Sequence, residues 1–109
     1  MDEGLLRTMT DAIVDEVHPE EVILFGSYAK GTQREGSDVD VLVLMPEEAQ
    51  EETQCSRYRL IGRILRRLKS FPLPMDILVY SHGEAAKWRD APGHVIAIGL
   101  REGRRLYAR

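Results

Sequence analysis

The sequence predicts an α/β domain in which helices flank a small mixed sheet. Three observations lead to this fold class. Short β-branched and aromatic runs recur, segments with helical hydrophobic spacing lie between them, and turn residues mark the junctions. The chain has 109 residues, the size of one domain, and we expect residues 1–109 to form a single one. Its composition, 43% hydrophobic and 30% charged, is typical of soluble globular proteins.

The first part of the chain is predicted to contain one helix and two strands. Hydrophobic residues at helical spacing predict a helix over residues 4–17. His18-Pro19 ends it, because proline disfavours helical geometry in the residue before it. The apolar runs at residues 21–26 (EVILFG) and 38–45 (DVDVLVLM) predict two buried strands. A connection rich in turn residues joins them.

The second part is predicted to begin with a long amphipathic helix over residues 48–69, followed by a strand at 75–80. Acidic residues early in this helix and basic residues late in it suit the helix dipole, so we interpret both charge runs as helix stabilisation. Residues 94–103 predict a helix that ends at its final glycine, and residues 104–109 a terminal edge strand. The hydrophobic residues predicted to form the buried side of the long helix are Leu60, Ile61, Ile64, Leu65 and Leu68.

Charge, hydropathy and cysteine content narrow the function classes. The net charge of −3 argues against a general nucleic-acid binder, so no stable nucleic-acid binding is expected. No apolar run approaches the roughly 18 residues of a membrane helix, and the acidic start is unlike a signal peptide, so we expect a cytoplasmic protein. The single cysteine, Cys55, excludes an internal disulfide. Three histidines lack metal-ligand spacing and are interpreted as surface or loop residues: His18, His82 and His94.

Three aspartates are predicted to meet at one edge of the sheet. Asp38 and Asp40 project from the same face of their strand, about 7 Å apart, because strand side chains alternate. A short connection allows the first two strands to pair antiparallel, which places the Gly26-Ser27 turn at the same edge. The long helix is the usual crossover between parallel strands, and it brings Asp76 to this edge as well.

A cluster of this kind predicts a bound cation. Two unit charges about 4 Å apart repel by about 4 kcal/mol at an effective dielectric constant near 20. Carboxylate oxygens select hard cations, above all Mg²⁺ or Mn²⁺, and Mg²⁺ completes its coordination with water and phosphate. The three aspartates therefore suit two such ions around a nucleoside triphosphate. Gly26 allows close approach of a phosphate, Ser27 adds a hydroxyl donor, and Lys30 can add a positive charge.

The ordered set of these residues resembles a family signature. "GSYAKGTQREGSDVDVLVL" is similar to the nucleotidyltransferase signature of the DNA polymerase beta superfamily, and "PMDILVY" resembles the strand with that family's third carboxylate. The chain length and the ending "REGRRLYAR" resemble the minimal nucleotidyltransferases (MNT). The resemblance implies a polymerase-beta-like nucleotidyltransferase fold and transfer of a nucleoside monophosphate with release of pyrophosphate. Gly26 and Ser27 would hold the β- and γ-phosphates, whereas Lys30 replaces a frequent arginine and has the least defined role.

The same resemblance implies a mechanism and a partner. Asp38 and Asp40 would bind both Mg²⁺ ions, and Asp76 would bind the ion that activates the acceptor hydroxyl. Minimal members typically pair with a HEPN-domain protein as a toxin–antitoxin system. The chain would then be the antitoxin, which uses ATP to attach AMP to a tyrosine of the HEPN ribonuclease. The sequence leaves open a homodimer or a hetero-oligomer with the toxin.

Two alternatives remain open at this stage. A small-molecule nucleotidyltransferase of the aminoglycoside-modifying type would use the negative charge near the site to attract a cationic acceptor, but such relatives usually carry an additional helical domain. A non-catalytic antitoxin would neutralise its partner by binding alone. An apolar face for such binding could include Tyr80, Trp88, Val95, Ile96, Ile98, Leu100 and Tyr107, although core packing is the interpretation that we favour for them.

Overall fold

The computed structural model describes residues 2–46 and 54–109 and contains a mixed four-stranded sheet with helices on both faces. The strand order is β3-β2-β1-β4; β1 pairs antiparallel with β2 and with β4, and β2 pairs parallel with β3. The predicted fold class and pairing directions are confirmed. The elements are α1 (Glu3–Val17), β1 (Glu21–Phe25), α2 (Ser27–Lys30), β2 (Val39–Met45), α3 (Gln54–Arg67), β3 (Met75–Ser81), α4 (His82–Trp88), α5 (Val95–Glu102) and β4 (Arg104–Ala108).

Helix α1 has well-defined ends. The Asp2 carboxylate accepts a hydrogen bond of 2.7 Å from the Leu5 backbone N–H, which caps the first turn. At the other end His18 adopts a left-handed conformation with φ of 50° and donates its backbone N–H to the Val14 carbonyl. The helix therefore stops directly before Pro19, as the sequence predicts. Its buried face consists of Leu6, Met9, Thr10, Ile13 and Val17.

Alternation along the strands divides the buried residues into two layers. In β2, Val39, Val41 and Val43 pack on one side against residues of α1 and α3. Leu42 and Leu44 pack on the other side, against Ala85 of α4 and Ile96 of α5. We call these the α1/α3 face and the α4/α5 face. Because side chains two residues apart share a face, the aspartates of β2 and β3 belong to the α4/α5 face.

Helix α3 shows where the sequence prediction was wrong. Ile64 is completely buried, whereas Leu65 is 42% exposed and does not belong to the buried stripe. The helix ends at Arg67, two residues earlier than predicted, because the Lys69 N–H bonds to the Arg66 carbonyl three residues back and tightens the last turn. The predicted start at residue 48 and its acidic cluster, together with the side chain of Cys55, lie outside the described residues.

After β3 the chain forms the short helix α4, which is followed by the predicted helix α5 and edge strand β4. Helix α4 begins with a capping box in which Ser81 and Glu84 bond to each other's backbone N–H. Helix α5 ends at Gly103, whose N–H donates to the Gly99 carbonyl, and β4 then forms a sheet edge with a register shift opposite β1. Across the described residues, no helix has the length and apolar character required to span a membrane.

Candidate active site

The candidate site lies along one row of paired residues that crosses three neighbouring strands, and we call it the register row. Phe25, the last residue of β1, pairs with Asp40 of β2, and Asp40 pairs with Asp76 of β3. The Val39 N–H donates a 2.8 Å hydrogen bond to the Pro74 carbonyl and aligns the starts of the two parallel strands. Since neighbouring strands lie about 4.8 Å apart, Asp40 and Asp76 lie side by side, level with the last residue of β1.

The turn after β1 lies directly against the Asp40 carboxylate. Gly26 has φ of 72° and ψ of −154°, a conformation that is essentially restricted to glycine. A Cβ added to Gly26 would overlap Asp40 Oδ2 and would lie 3.1 Å from Asp40 Cγ. Ser27 then opens the single helical turn α2 (Ser27–Lys30). Glycine is therefore required at position 26 for two reasons, its backbone conformation and the close approach of the carboxylate.

The electrostatic environment of Asp40 is unfavourable to its charge. Burial of the half-buried side chain, followed by the negative charges of Asp76 and then Asp38, raises the pKa of the Asp40 carboxyl above its ordinary value. Each of these effects penalises the ionised form. Asp38 and Asp76 are themselves exposed. The three aspartates are thus near enough to interact, and their repulsion destabilises the ionised form of Asp40.

The donor set suits a hard cation, although the full set of ligands is not preassembled. Among residues 2–46 and 54–109, no three His, Cys, Asp or Glu side chains are close enough together to hold a metal ion as they stand. Asp40 and Asp76 nevertheless supply adjacent carboxylate oxygens, and Mg²⁺ is usually bound by one or two protein carboxylates plus water and phosphate. The pair fits such an ion, and Asp38 lies exposed two residues before Asp40.

Lys30 has a partner that sequence reasoning missed. Its Nζ lies 2.7 Å from Glu102 Oε1, at the end of α5. The hydrogen bond from Lys30, followed by that from Arg101, lowers the pKa of the Glu102 carboxyl. The contact ties α2 to the C-terminal turn of α5. No local pattern links two residues so far apart in sequence, so only the tertiary fold reveals this ion pair.

The histidines and the aromatic residues also have defined positions. His82 follows β3 and forms a 3.0 Å contact with Glu20, at the opposite end of that strand from Asp76. His94 accepts a hydrogen bond from the Ile96 N–H as the N-cap of α5. Ile96 is completely buried, which fits the core interpretation, but Trp88 is 37% exposed.

Comparisons with known proteins identify solved structures with a similar fold. No curated protein matches the sequence. A solved structure from Sulfolobus solfataricus, whose nucleotidyltransferase function is itself inferred, has a TM-score of 0.64 at 24% identity and covers 98% of this chain and 86% of that one. A toxin–antitoxin structure with AMP-PNP has a TM-score of 0.56 at 21% identity, with coverage of 100% and 75%. A mutant of the toxin–antitoxin pair MntA–HpeT has a TM-score of 0.56 at 20% identity, with coverage of 100% and 74%.

These structural similarities show the fold, and the family follows from the sequence. The family model described as the nucleotidyltransferase domain matches residues 6–102, which is most of the chain and includes β1, β2, β3 and the turn between β1 and α2. The carboxylate pair and the glycine turn both lie inside this match. The chain therefore belongs to the nucleotidyltransferase domain family.

Proposed function

We propose that this chain is a Mg²⁺-dependent nucleotidyltransferase that transfers AMP from ATP to a tyrosine hydroxyl of a HEPN ribonuclease toxin and so acts as its antitoxin. The observation that carries the chemical part is the register row in which Asp40 pairs with Asp76 and lies against Gly26. A glycine turn suited to phosphate and paired carboxylates suited to a hard cation occupy one sheet edge. This combination matches the needs of a metal–triphosphate substrate.

Each residue of the site has a proposed task. The Gly26 backbone and the Ser27 hydroxyl hold the β- and γ-phosphates. Asp40 and Asp76, joined by Asp38, hold Mg²⁺, or Mn²⁺ in its place, which when bound neutralises the phosphate charge and lowers the pKa of the acceptor hydroxyl. Asp76, farthest from Gly26 along the row, faces the acceptor and is placed to receive its proton. The unfavourable charge of Asp40 is relieved when a cation is present.

The proposed partner rests on the comparisons and on the exposure of the site face. Two of the structures that share the fold belong to toxin–antitoxin pairs, and one of them was solved with AMP-PNP. In addition, helices α4 and α5 cover the site face only in part, and Trp88 on that face is exposed. A partner protein can therefore bring the acceptor to the site. We expect the reaction to take place in the cytoplasm, where ATP and Mg²⁺ are available.

A labelling experiment tests the function. The protein is incubated with α-³²P-labelled ATP and Mg²⁺ and offered either a HEPN toxin from the same genome or a panel of aminoglycosides. We expect label on the toxin, and mass spectrometry should show one or more added AMP units on a tyrosine. Label on aminoglycosides alone would assign the small-molecule reaction instead.

The non-catalytic alternative is tested with the same pair of proteins. The double variant Asp38→Asn/Asp40→Asn keeps the shape of the site but removes two charges. We expect it to lose the ability to neutralise the toxin's ribonuclease activity. Full neutralisation by this variant would show that binding alone is sufficient.

Lys30 is expected to contribute modestly to nucleotide binding. Because Glu102 holds its ammonium group, Lys30→Ala should raise the KM for ATP by less than about tenfold, within the range of one exposed ionic contact. Glu102→Gln releases Lys30 and should lower the KM for ATP if Nζ then reaches the phosphates. Steady-state kinetics of both variants measure this, and Arg66→Gln, which removes an exposed charge on α3, is the control for a change of charge away from the site. A loss of more than about 100-fold in Lys30→Ala would give Lys30 a central role.

A further inference from the structure

A partly open strip of the α4/α5 face runs along the edge strand β3. Asp76, Leu78 and Tyr80 alternate with buried residues and point to this face, and they are exposed or half-buried. Helix α5 lies farther along the sheet, with Gly99 against Leu42 of β2. The strip therefore leads from the candidate active site toward the other end of β3, a distance of about 13 Å for four residues of strand.

Three aromatic rings lie at the far end of this strip, and we call them the aromatic row: Tyr80, His94 and Trp88. The Tyr80 and His94 ring centroids are 6.1 Å apart, edge to face, and His94 stacks on Trp88 at 4.7 Å with an interplanar angle of 7°. The Arg57 guanidinium lies 4.7 Å from the Tyr80 ring centroid and pairs with Glu84. These contacts fix the row, yet Trp88 is 37% exposed.

The direction of the proposed reaction points to the same strip. In phosphoryl transfer the attacking and the leaving oxygens lie roughly in line on opposite sides of the phosphorus. Gly26 and Ser27 follow β1 and would hold the leaving pyrophosphate, whereas Asp76 lies on β3, on the other side of β2. The acceptor hydroxyl must then approach from the β3 side. The strip along β3 is the surface that the acceptor polypeptide would cross.

The charged side chains near the aromatic row determine which polypeptide charge would be favoured there. Lys87 and Arg89 flank Trp88 and are exposed, and Lys87 Nζ lies 5.1 Å from the Trp88 ring centroid. Asp90 is the adjacent carboxylate, while the charges of Arg57 and Glu84 offset each other. The net charge around Trp88 is therefore positive. Acidic residues of a partner would be favoured here and disfavoured beside Asp38 and Asp76.

We propose that the strip and the aromatic row form the docking site for the acceptor, an extended acidic segment whose apolar residue contacts Trp88 and Tyr80 about four residues from the tyrosine that is modified. The spacing follows from the 13 Å between Asp76 and Tyr80 and from about 3.3 Å per extended residue. This inference rests on the proposed transfer reaction. In that reaction the tyrosine oxygen forms a bond to the α-phosphorus of ATP, the bond to pyrophosphate breaks with its electron pair, and the hydroxyl proton passes to Asp76 or to water.

Two synthetic peptides and the single tryptophan of the chain provide the test. Both peptides carry one tyrosine and a leucine four residues away; one has two glutamates next to the leucine, and the other has two lysines. We expect the glutamate peptide to change Trp88 fluorescence and to bind at least about fivefold more tightly than the lysine peptide. Mg²⁺ with AMP-PNP alone should leave the fluorescence unchanged.

Variants locate the binding surface. Anisotropy of the fluorescein-labelled glutamate peptide should show at least tenfold weaker binding to Trp88→Ala and about fivefold weaker binding to Arg89→Glu. Leu65→Ala, which truncates an exposed side chain of similar character on α3, is the matched control and should bind like the unmodified chain. The KM for ATP should change less than twofold in all three. Equal peptide binding by Trp88→Ala and the unmodified chain would refute the docking site.

The remaining outcomes separate this inference from the proposed function. A fluorescence change with AMP-PNP and none with either peptide would assign the row to the nucleoside and overturn the docking site. Peptide binding that depends on Trp88, without transfer of label from ATP, would keep the docking site and reject the proposed reaction. Transfer of label to the peptide, with a KM for the peptide that Trp88→Ala leaves unchanged, would keep the proposed reaction and reject the docking site.

Discussion

Asp40→Asn is expected to abolish AMP transfer while it makes the protein more stable without Mg²⁺. Asp40 is the centre of the register row, between the glycine turn and Asp76, so the variant removes a metal ligand and should lower kcat by at least about 10³-fold, the scale of losing a key electrostatic group. The same substitution removes a charge that burial and the neighbouring aspartates destabilise. Function and stability therefore make opposite demands at this position.

The pH dependence of stability gives the sign of this effect. Because the pKa of Asp40 is raised in the folded protein, the folded state binds its proton more tightly than the unfolded chain does. The free energy of unfolding should then fall as the pH rises from the ordinary carboxyl value of 3.8 through the raised pKa of Asp40. In Asp40→Asn, the free energy of unfolding should no longer show this decrease with rising pH. Thermal melts between pH 3.5 and 8 measure it, with the exposed Asp90→Asn as the matched control.

Addition of Mg²⁺ completes the experiment. If a cation binds at this edge, it stabilises the folded chain according to its concentration and affinity. The melting temperature of the unmodified chain should therefore rise with Mg²⁺ at pH 8, and that of Asp40→Asn should rise less. Identical Mg²⁺ shifts in both proteins would count against a cation site at Asp40, whatever the activity of the variant.

The order of elements and the convergence of the aspartates could be predicted because both depend on local patterns and general connection rules. Apolar runs mark the strands, and a long helix is the usual crossover between parallel strands, which places Asp76 beside Asp40. The predicted bounds differ by only one residue at the start of β2. These features need no knowledge of which side chains meet across the fold.

Features that depend on tertiary contacts could not be predicted. Leu65 satisfies helical hydrophobic spacing but is exposed, because the contacts of α3 with α1 and β3 cover only a narrow stripe around Ile64. The ion pair between Lys30 and Glu102 joins distant segments and has no sequence signal. Likewise, Trp88 was predicted to pack in the core, and only the structure shows it stacked on His94 with an exposed face.

Gly26→Ala is expected to destabilise the fold and to eliminate nucleotide binding. An alanine at this position must adopt a backbone conformation that costs about 1–3 kcal/mol, and its Cβ would overlap the Asp40 carboxylate. The Asp40 side chain must then shift, which moves its carboxylate away from the turn. We expect a loss of more than about 2 kcal/mol in urea unfolding, and no detectable binding of Mg²⁺–AMP-PNP by calorimetry.

The two causes can be separated with a control and a second substitution. Gly31 also has a positive φ, 75°, but a Cβ there would meet nothing within 4 Å, so Gly31→Ala should lose only about 1 kcal/mol of backbone strain. The variant Asp40→Ala removes the carboxylate that Gly26→Ala would strike. In the double variant Gly26→Ala/Asp40→Ala, the cost of the alanine at position 26 should shrink to the strain alone, a coupling within the 0.5–3 kcal/mol known for residues in contact. If the two substitutions were simply additive, the carboxylate would not lie against the turn, and the close approach that joins phosphate binding to metal binding in this site would be lost.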